Sequence, residues 1–177
     1  IAFPRFSMAN VKTASLPDCM AMTPEAMAEN SRLVADSMAY LEAVVSTISD
    51  PDIRGAVEGI MRNPAPTLMA DLMDEKNRKD VYSELKSKGL AADDLAFGDF
   101  LPATENPYRS PHPFIVGPGS GYGSHHAYPG GLISHTALNT MAAVRLFEHY
   151  RVVYGFRLNR EVVSASEELH DVYNAWG

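Results

Sequence analysis

Hydrophobic residues recur at the spacing of an α-helix through the first third of the chain. One pattern runs from residue 24 to about residue 48. It follows Thr23-Pro24, a pair that suits a helix start because threonine caps well and proline is tolerated at the first helical position. A shorter pattern covers residues 51–61. These two patterns predict a long amphipathic helix followed by a short one.

The flanking segments are less regular. Residues 67–87 show a third helical pattern, and Gly89 is placed to end it. Residues 1–22 contain two prolines and no clean period, so we expect an extended arm there. No segment shows the alternation of a strand, and no repeat is visible.

Two further helices are predicted near the end of the chain. The first spans residues 131–154 and ends at Gly155, and Asn159 is positioned to cap the second. Their spacing predicts inward-facing side chains at Leu138, Met141, Ala142, Leu146, Phe147, Val162, Ala165 and Leu169.

Residues 91–129 are rich in proline, glycine, aspartate and serine, which forbids a long helix. An irregular stretch of this length in a compact chain is usually functional or disordered, and its place before a group of histidines favours function. The patterns together predict an all-α fold. We divide it into an N-terminal helical region (1–90), the Pro/Gly-rich loop (91–129) and a helical core (130–177).

The charge balance limits the kinds of molecule that the protein can be expected to bind. The chain carries 15 basic and 22 acidic residues, a formal net charge of −7, and 46% of its residues are hydrophobic. An acidic surface opposes general nucleic-acid binding, which depends on neutralising phosphates, although a local basic groove stays compatible with it. A long nucleic acid is therefore disfavoured as the partner.

A single cysteine, Cys19, excludes an intrachain disulfide and fits a reducing compartment. No apolar run is long enough for a transmembrane helix, and no signal-peptide pattern begins the chain. We therefore expect a cytoplasmic protein without membrane contact. The chain begins at Ile1 rather than methionine, which suggests a piece of a longer protein.

Histidines and one aspartate concentrate near the end of the chain. They lie in the string His125-His126-Ala127-Tyr128-Pro129-Gly130-Gly131-Leu132-Ile133-Ser134-His135-Thr136 and in the later pair His170-Asp171. Imidazole nitrogens and a carboxylate oxygen from two packed helices can hold a divalent metal.

Each of these residues also has an ordinary interpretation. His135 can be a histidine bonded to a carbonyl in a helix interface. His170-Asp171 can be a plain helix end, although an aspartate there is disfavoured by the helix dipole. His125 and His126 can bind a second metal, contact a phosphate or shape the helix approach.

Three other basic side chains, Arg109, His112 and His149, also have ordinary interpretations. Arg109 lies in the loop and can clamp a phosphate through two parallel hydrogen bonds, or it can be solvated. His112 and His149 are expected at the surface.

The string Gly130-Gly131-Leu132-x-x-His135-Thr136, followed by Leu169-His170-Asp171, resembles the HD-domain metal-dependent phosphohydrolase superfamily. The preceding His125-His126-x-x-Pro129 is similar to a branch that includes HD-domain 3′–5′ exoribonucleases and relaxase-associated HD proteins. The resemblance covers roughly residues 122–171 and implies a helical HD-domain-like bundle.

The resemblance also implies roles for individual residues. His135, His170 and Asp171 would hold a divalent metal, with Mn, Fe, Ni, Mg and Zn all open. Asp171 and His126 would be catalytic, and His126 is the best local candidate for a further ligand. His125, His126 and Arg109 are candidates for a second metal or for phosphate. The implied reaction is hydrolysis of a phosphate mono- or diester by metal-activated water, so the implied partner is a phosphorylated small molecule or a nucleotide.

The sequence departs from the family pattern in two places. The family completes its metal shell with an aspartate on a later helix, and no aspartate follows Asp171 here. Many members carry a lysine where this chain has Asn174. Two classes of function therefore stay open: a metal-dependent phosphohydrolase, and a catalytically degenerate module that binds a nucleotide or a protein partner without turnover.

Overall fold

The computed structural model describes residues 13–100, 106–110, 112–121 and 123–172. These residues contain seven α-helices and no strand, which confirms the predicted all-α class. The helices are α1 Leu16–Met20, α2 Pro24–Asn30, α3 Arg32–Val45, α4 Pro51–Arg62, α5 Glu75–Ser87, α6 Gly131–Tyr154 and α7 Arg160–Leu169. Short 3₁₀ helices occur at Thr67–Leu72, Phe97–Asp99 and Phe114–Val116.

The chain divides into two compact units. One lies within Ile1–Pro64 and Pro111–Gly177 and holds every α-helix except α5, and the other lies within Ala65–Ser110. The division predicted at residues 90 and 129 stays a prediction. None of the described helices is both long and apolar enough to cross a membrane.

The core of the larger unit is built from α3, α4 and the start of α6. Leu41 and Val57 from the first two helices and Leu132 and Ile133 from α6 are almost completely buried. The 3₁₀ helix Phe114–Val116 closes one side of this core. The start of α6 is therefore held by hydrophobic packing on both sides.

Helices α6 and α7 pack side by side. The connection between them covers only residues 155–159, so the two helices form an antiparallel hairpin. Asn159 caps α7 by accepting hydrogen bonds from the backbone N–H groups of Glu161 and Val162, as predicted. The Glu161 carboxylate accepts hydrogen bonds from the Ser49 N–H and hydroxyl and from the Asp50 N–H, which ties α7 to the α3–α4 connection.

In the smaller unit, Tyr82 of α5 packs against the aromatic rings of Phe97 and Phe100. The Tyr82 ring lies 5.5 Å from the Phe97 ring centre and 5.3 Å from that of Phe100, and its hydroxyl donates to the Leu95 carbonyl at 2.6 Å. Residues 67–72, predicted as part of one helix with α5, form a separate 3₁₀ turn, because Asp74 caps α5 and starts a new helix there.

Two predicted boundaries were wrong. The helix predicted over residues 24–48 is broken at Ser31, which has extended backbone and caps α3 by accepting a hydrogen bond from the Val34 N–H. Part of the predicted extended arm, Leu16–Met20, is helical because Ser15 and Asp18 form a capping box. Residues 1–12 of that arm lie outside the described residues.

Four side chains predicted to face inward are exposed instead, Ala142 among them. Leu138 is 56% exposed, Leu146 55% and Val162 48%. Of the other side chains predicted to face inward, Phe147 is buried and Leu169 is half-buried. Helix α6 has apolar residues on most of its circumference, and among the described residues α3, α7 and the 3₁₀ helix Phe114–Val116 cover one part of it.

Glu168 of α7 points into the core of the larger unit. It is 1% exposed, and neither carboxylate oxygen has a hydrogen-bond partner among the described residues. Burial raises the pKa of this carboxyl to about 8, because an ion loses its hydration there.

Candidate metal centre

Two glycines determine how the chain enters α6. Gly130 has φ +82°, and a Cβ there would lie 2.4 Å from Cγ2 of Val34. A Cβ on Gly131 would lie 1.8 Å from the backbone oxygen of His126. Neither position has room for a side chain, so the Gly-Gly pair lets the preceding loop fold tightly over the helix start.

Backbone hydrogen bonds hold that loop in place. The Gly119 N–H donates to the His126 carbonyl at 2.9 Å, and the Leu132 N–H donates to the Gly117 carbonyl at 2.9 Å. His126 itself has φ +56°, a left-handed conformation that is uncommon outside glycine. The loop thereby brings His126 next to the first turns of α6.

The α6–α7 hairpin brings the predicted metal ligands together. Nε2 of His135 lies 2.9 Å from Oδ2 of Asp171, and Nε2 of His170 lies 3.0 Å from the same oxygen. The side chains of His135, His170 and Asp171 are 12%, 35% and 30% exposed. One carboxylate oxygen thus faces two imidazole nitrogens in a partly open site.

Backbone contacts orient the His170 ring. Its Nδ1 lies 2.6 Å from the Glu167 carbonyl oxygen, which can only accept, so Nδ1 carries the proton. In the neutral ring, Nε2 is then the unprotonated nitrogen, and it is the atom that faces Asp171. This arrangement presents a lone pair at the place where a metal would need one.

Asn139 was not predicted as a site residue. Its Nδ2 lies 2.9 Å from Nε2 of His135 and 3.3 Å from Nε2 of His170. It stands one helical turn after His135, so the i, i+4 spacing along α6 was a usable signal. The amide joins the two imidazoles on the side of the cluster where Asp171 also lies.

A second group of histidines shares His135. His125, His126 and His135 offer ligand atoms within 4.8 Å of one another, as do His135, His170 and Asp171. Nδ1 of His135 lies 3.4 Å from Nδ1 of His126, whereas Nε2 of His135 faces Asp171. The two groups therefore use opposite nitrogens of one ring, and His126 lies on the side away from Asp171.

The environment keeps His126 neutral. Burial lowers the pKa of its imidazole, and the neighbouring His135 and His125 rings lower it further. A neutral imidazole keeps a lone pair for a metal or a proton at neutral pH.

The geometry fits a divalent metal. With metal–ligand bonds near 2.1 Å, neighbouring ligand atoms stand about 3.0 Å apart at right angles and about 3.4 Å apart in a tetrahedron. The nitrogen–oxygen distances of 2.9 and 3.0 Å at Asp171 match that scale. His135, His170 and Asp171 form a histidine cluster with a carboxylate that can bind a metal.

The other predicted residues lie elsewhere. Arg109 is in the smaller unit, so its role as a phosphate clamp stays a prediction. His112 and His149 are exposed, as expected. Asn174, the departure from the family pattern, lies outside the described residues.

Comparison with known proteins identifies a partial relative. Over 75 residues the chain is 36% identical to the dihydroneopterin 2′,3′-cyclic phosphate phosphodiesterase of Methanocaldococcus jannaschii. The match covers 38% of this chain and 30% of that protein, so the chain spans about a third of the curated relative's length. No family model and no solved structure matches the chain. The chain is thus a distant partial homologue of a phosphodiesterase.

Proposed function

We propose that this chain carries the metal centre of a phosphohydrolase that cleaves phosphate esters of small molecules. The observation that carries the proposal is the convergence of two imidazole nitrogens on Oδ2 of Asp171 at 2.9 and 3.0 Å. Homology to a phosphodiesterase supports the same reaction class. His135, His170 and Asp171 would hold the metal, with Mn, Fe, Ni, Mg and Zn as candidates.

When bound, a divalent metal activates water and neutralises the negative charge of the phosphoryl group. The residues of the chain would hold and orient the groups of the site. Asp171 and the two imidazoles would hold the metal, and Asn139, whose Nδ2 lies beside both Nε2 atoms, would border the ion. His126 is neutral at neutral pH, and because Nε2 of His135 would hold the metal, Nδ1 of His135 would donate to Nδ1 of His126 and orient the metal-binding ring.

The proposed substrate is a small phosphodiester, with a nucleotide or related cyclic phosphate as the leading class. The relative is named for a 2′,3′-cyclic phosphate of a pterin. The net charge of −7 opposes long polyanions, because each phosphate contact must be provided by a local cation. His125 and Arg109 remain candidates for phosphate binding.

The alternative is a degenerate module that binds a nucleotide or a protein without turnover. One observation favours it: among the described residues, the two candidate metal groups contain a single carboxylate, Asp171. A metal held mostly by neutral ligands keeps more of its positive charge, which suits anion binding as well as hydrolysis.

An assay with defined substrates separates these two functions. The purified chain is loaded with Mn²⁺ and given bis(p-nitrophenyl) phosphate, adenosine 2′,3′-cyclic phosphate and p-nitrophenyl phosphate. We expect hydrolysis of at least one diester that is lost after chelation and restored by Mn²⁺. The assay is repeated with each of the five candidate metals. Saturable nucleotide binding, with no turnover whichever metal is loaded, would contradict the hydrolase and favour the alternative.

A further inference from the structure

A cavity lies in the larger unit, away from the metal centre. It has a volume of about 440 Å³ and lies between α3, the second half of α6 and the start of α7. Its floor is formed by Tyr40, Val44 and Val144, which are 2%, 2% and 9% exposed. Small-molecule sites commonly have volumes of roughly 300–1,000 Å³, with an apolar surface and a few charged groups.

The rim of the cavity is basic. Arg145 and His149 stand one turn apart on α6, and Arg160 is the first residue of α7. Burial raises the pKa of the Tyr40 hydroxyl and Glu168 raises it further, whereas Arg160 and Arg145 lower it. Both arginines line the same cavity, so two guanidinium groups stand at it on two different helices.

The one acidic residue of the lining, Glu148, is already engaged. Its Oε2 accepts hydrogen bonds from Nε of Arg151 at 3.0 Å and from Nη2 at 2.9 Å. Residues 149–160 contain three arginines and no aspartate or glutamate, and one of the three, Arg151, is the partner of Glu148. This region is thus locally positive in a chain whose net charge is −7.

The cavity is separate from the metal centre. Arg145, the arginine of the rim that lies on the same helix as His135, stands ten residues after it, which is about 15 Å at 1.5 Å per residue. A small ester bound at the rim cannot reach Asp171 over that distance. A ligand in this cavity would therefore act independently of the hydrolytic reaction.

We propose that this cavity binds a small organic phosphate, with the phosphate between Arg145 and Arg160 and the apolar part on the floor of Tyr40, Val44 and Val144. Arginine suits this task because its planar guanidinium donates parallel hydrogen bonds to phosphate oxygens. The apolar floor favours an organic phosphate over the free ion, since inorganic phosphate would bury no hydrocarbon there.

Calorimetric titration with phenyl phosphate and with inorganic phosphate tests this proposal. The full chain is used in EDTA, so that no metal competes for the phosphate group. We expect saturable binding of phenyl phosphate that is at least about fivefold tighter than that of inorganic phosphate, because only the former covers the floor. Arg160→Gln should weaken phenyl phosphate binding about tenfold by removing a charge-assisted hydrogen bond.

Two variants serve as controls. Arg157→Gln makes the same charge change in the α6–α7 connection without lining the cavity and should keep wild-type affinity. Asp171→Asn, at the metal centre, should also bind phenyl phosphate normally. The proposal is overturned if wild type shows no saturable binding, if both phosphates bind equally, or if Arg157→Gln weakens binding as much as Arg160→Gln. Arg145→Gln provides a second test from the other helix.

Discussion

Replacing Asp171 with alanine should lower phosphodiester turnover by more than about 100-fold, which exceeds the effect typical of residues that only support a metal ligand. Asp171 contributes the one carboxylate oxygen that both His135 and His170 face, at 2.9 and 3.0 Å. Without it, two imidazoles remain at that position, and neither carries a negative charge to hold a cation. The measurement is kcat/KM for bis(p-nitrophenyl) phosphate at saturating Mn²⁺.

Glu58→Ala is a matched control for this substitution. Glu58 is an exposed carboxylate on α4, so its removal also takes away one negative charge. Circular dichroism melts of both variants check that the fold is kept. Turnover by Asp171→Ala within twofold of the Glu58→Ala rate would show that the chemistry takes place at another site.

The second large effect is on stability, at Glu168. Its folded-state pKa of about 8 lies above the ordinary value of 4.5, so the folded chain holds a proton that the unfolded chain releases. Stability is unaffected by this group below about pH 4.5, falls as the pH rises toward 8, and then stays low. At 1.36 kcal/mol per pH unit, the loss between pH 5 and pH 8 is roughly 3–4 kcal/mol.

Glu168→Gln removes the titrating group and keeps its shape. We expect the variant to gain stability relative to wild type by roughly 3–4 kcal/mol between pH 5 and pH 8, as measured by urea unfolding at several pH values. Glu58→Gln, at an exposed site, should change little over the same range. A stability difference between Glu168→Gln and wild type that is independent of pH would show that Glu168 is not held neutral in the core.

The start of a helix could be predicted where a capping residue precedes it. Thr23-Pro24 marked the start of α2, and Asn159 marked that of α7. The break at Ser31 was missed because the apolar period continues across it, and a serine cap inside such a pattern is a weak signal. The predicted side-chain directions were wrong for Leu138 and Leu146 of α6, because they fit the apolar period but lie on a face that none of the described helices covers.

The site was predictable in part. Periodicity placed His135 on α6 and His170 at the end of α7, while the resemblance implied that they share an ion. Their actual distances depend on the antiparallel hairpin, which no local pattern encodes. Asn139 was missed because an asparagine within a helix has many uses, although its spacing from His135 was visible. Glu168 was missed because a charged residue rarely points into a core.

The metal content of wild type and of His135→Ala tests the central claim most directly. His135 belongs to both candidate metal groups, so one substitution takes a ligand from each. His149→Ala is the matched control, because it removes an exposed histidine from the same helix. Elemental analysis after Mn²⁺, Fe²⁺, Ni²⁺ or Zn²⁺ loading and desalting should give at least one ion per wild-type or His149→Ala chain and far less in His135→Ala. Equal metal content in His135→Ala and wild type, or none in any of the three proteins, would contradict a metal centre at this site.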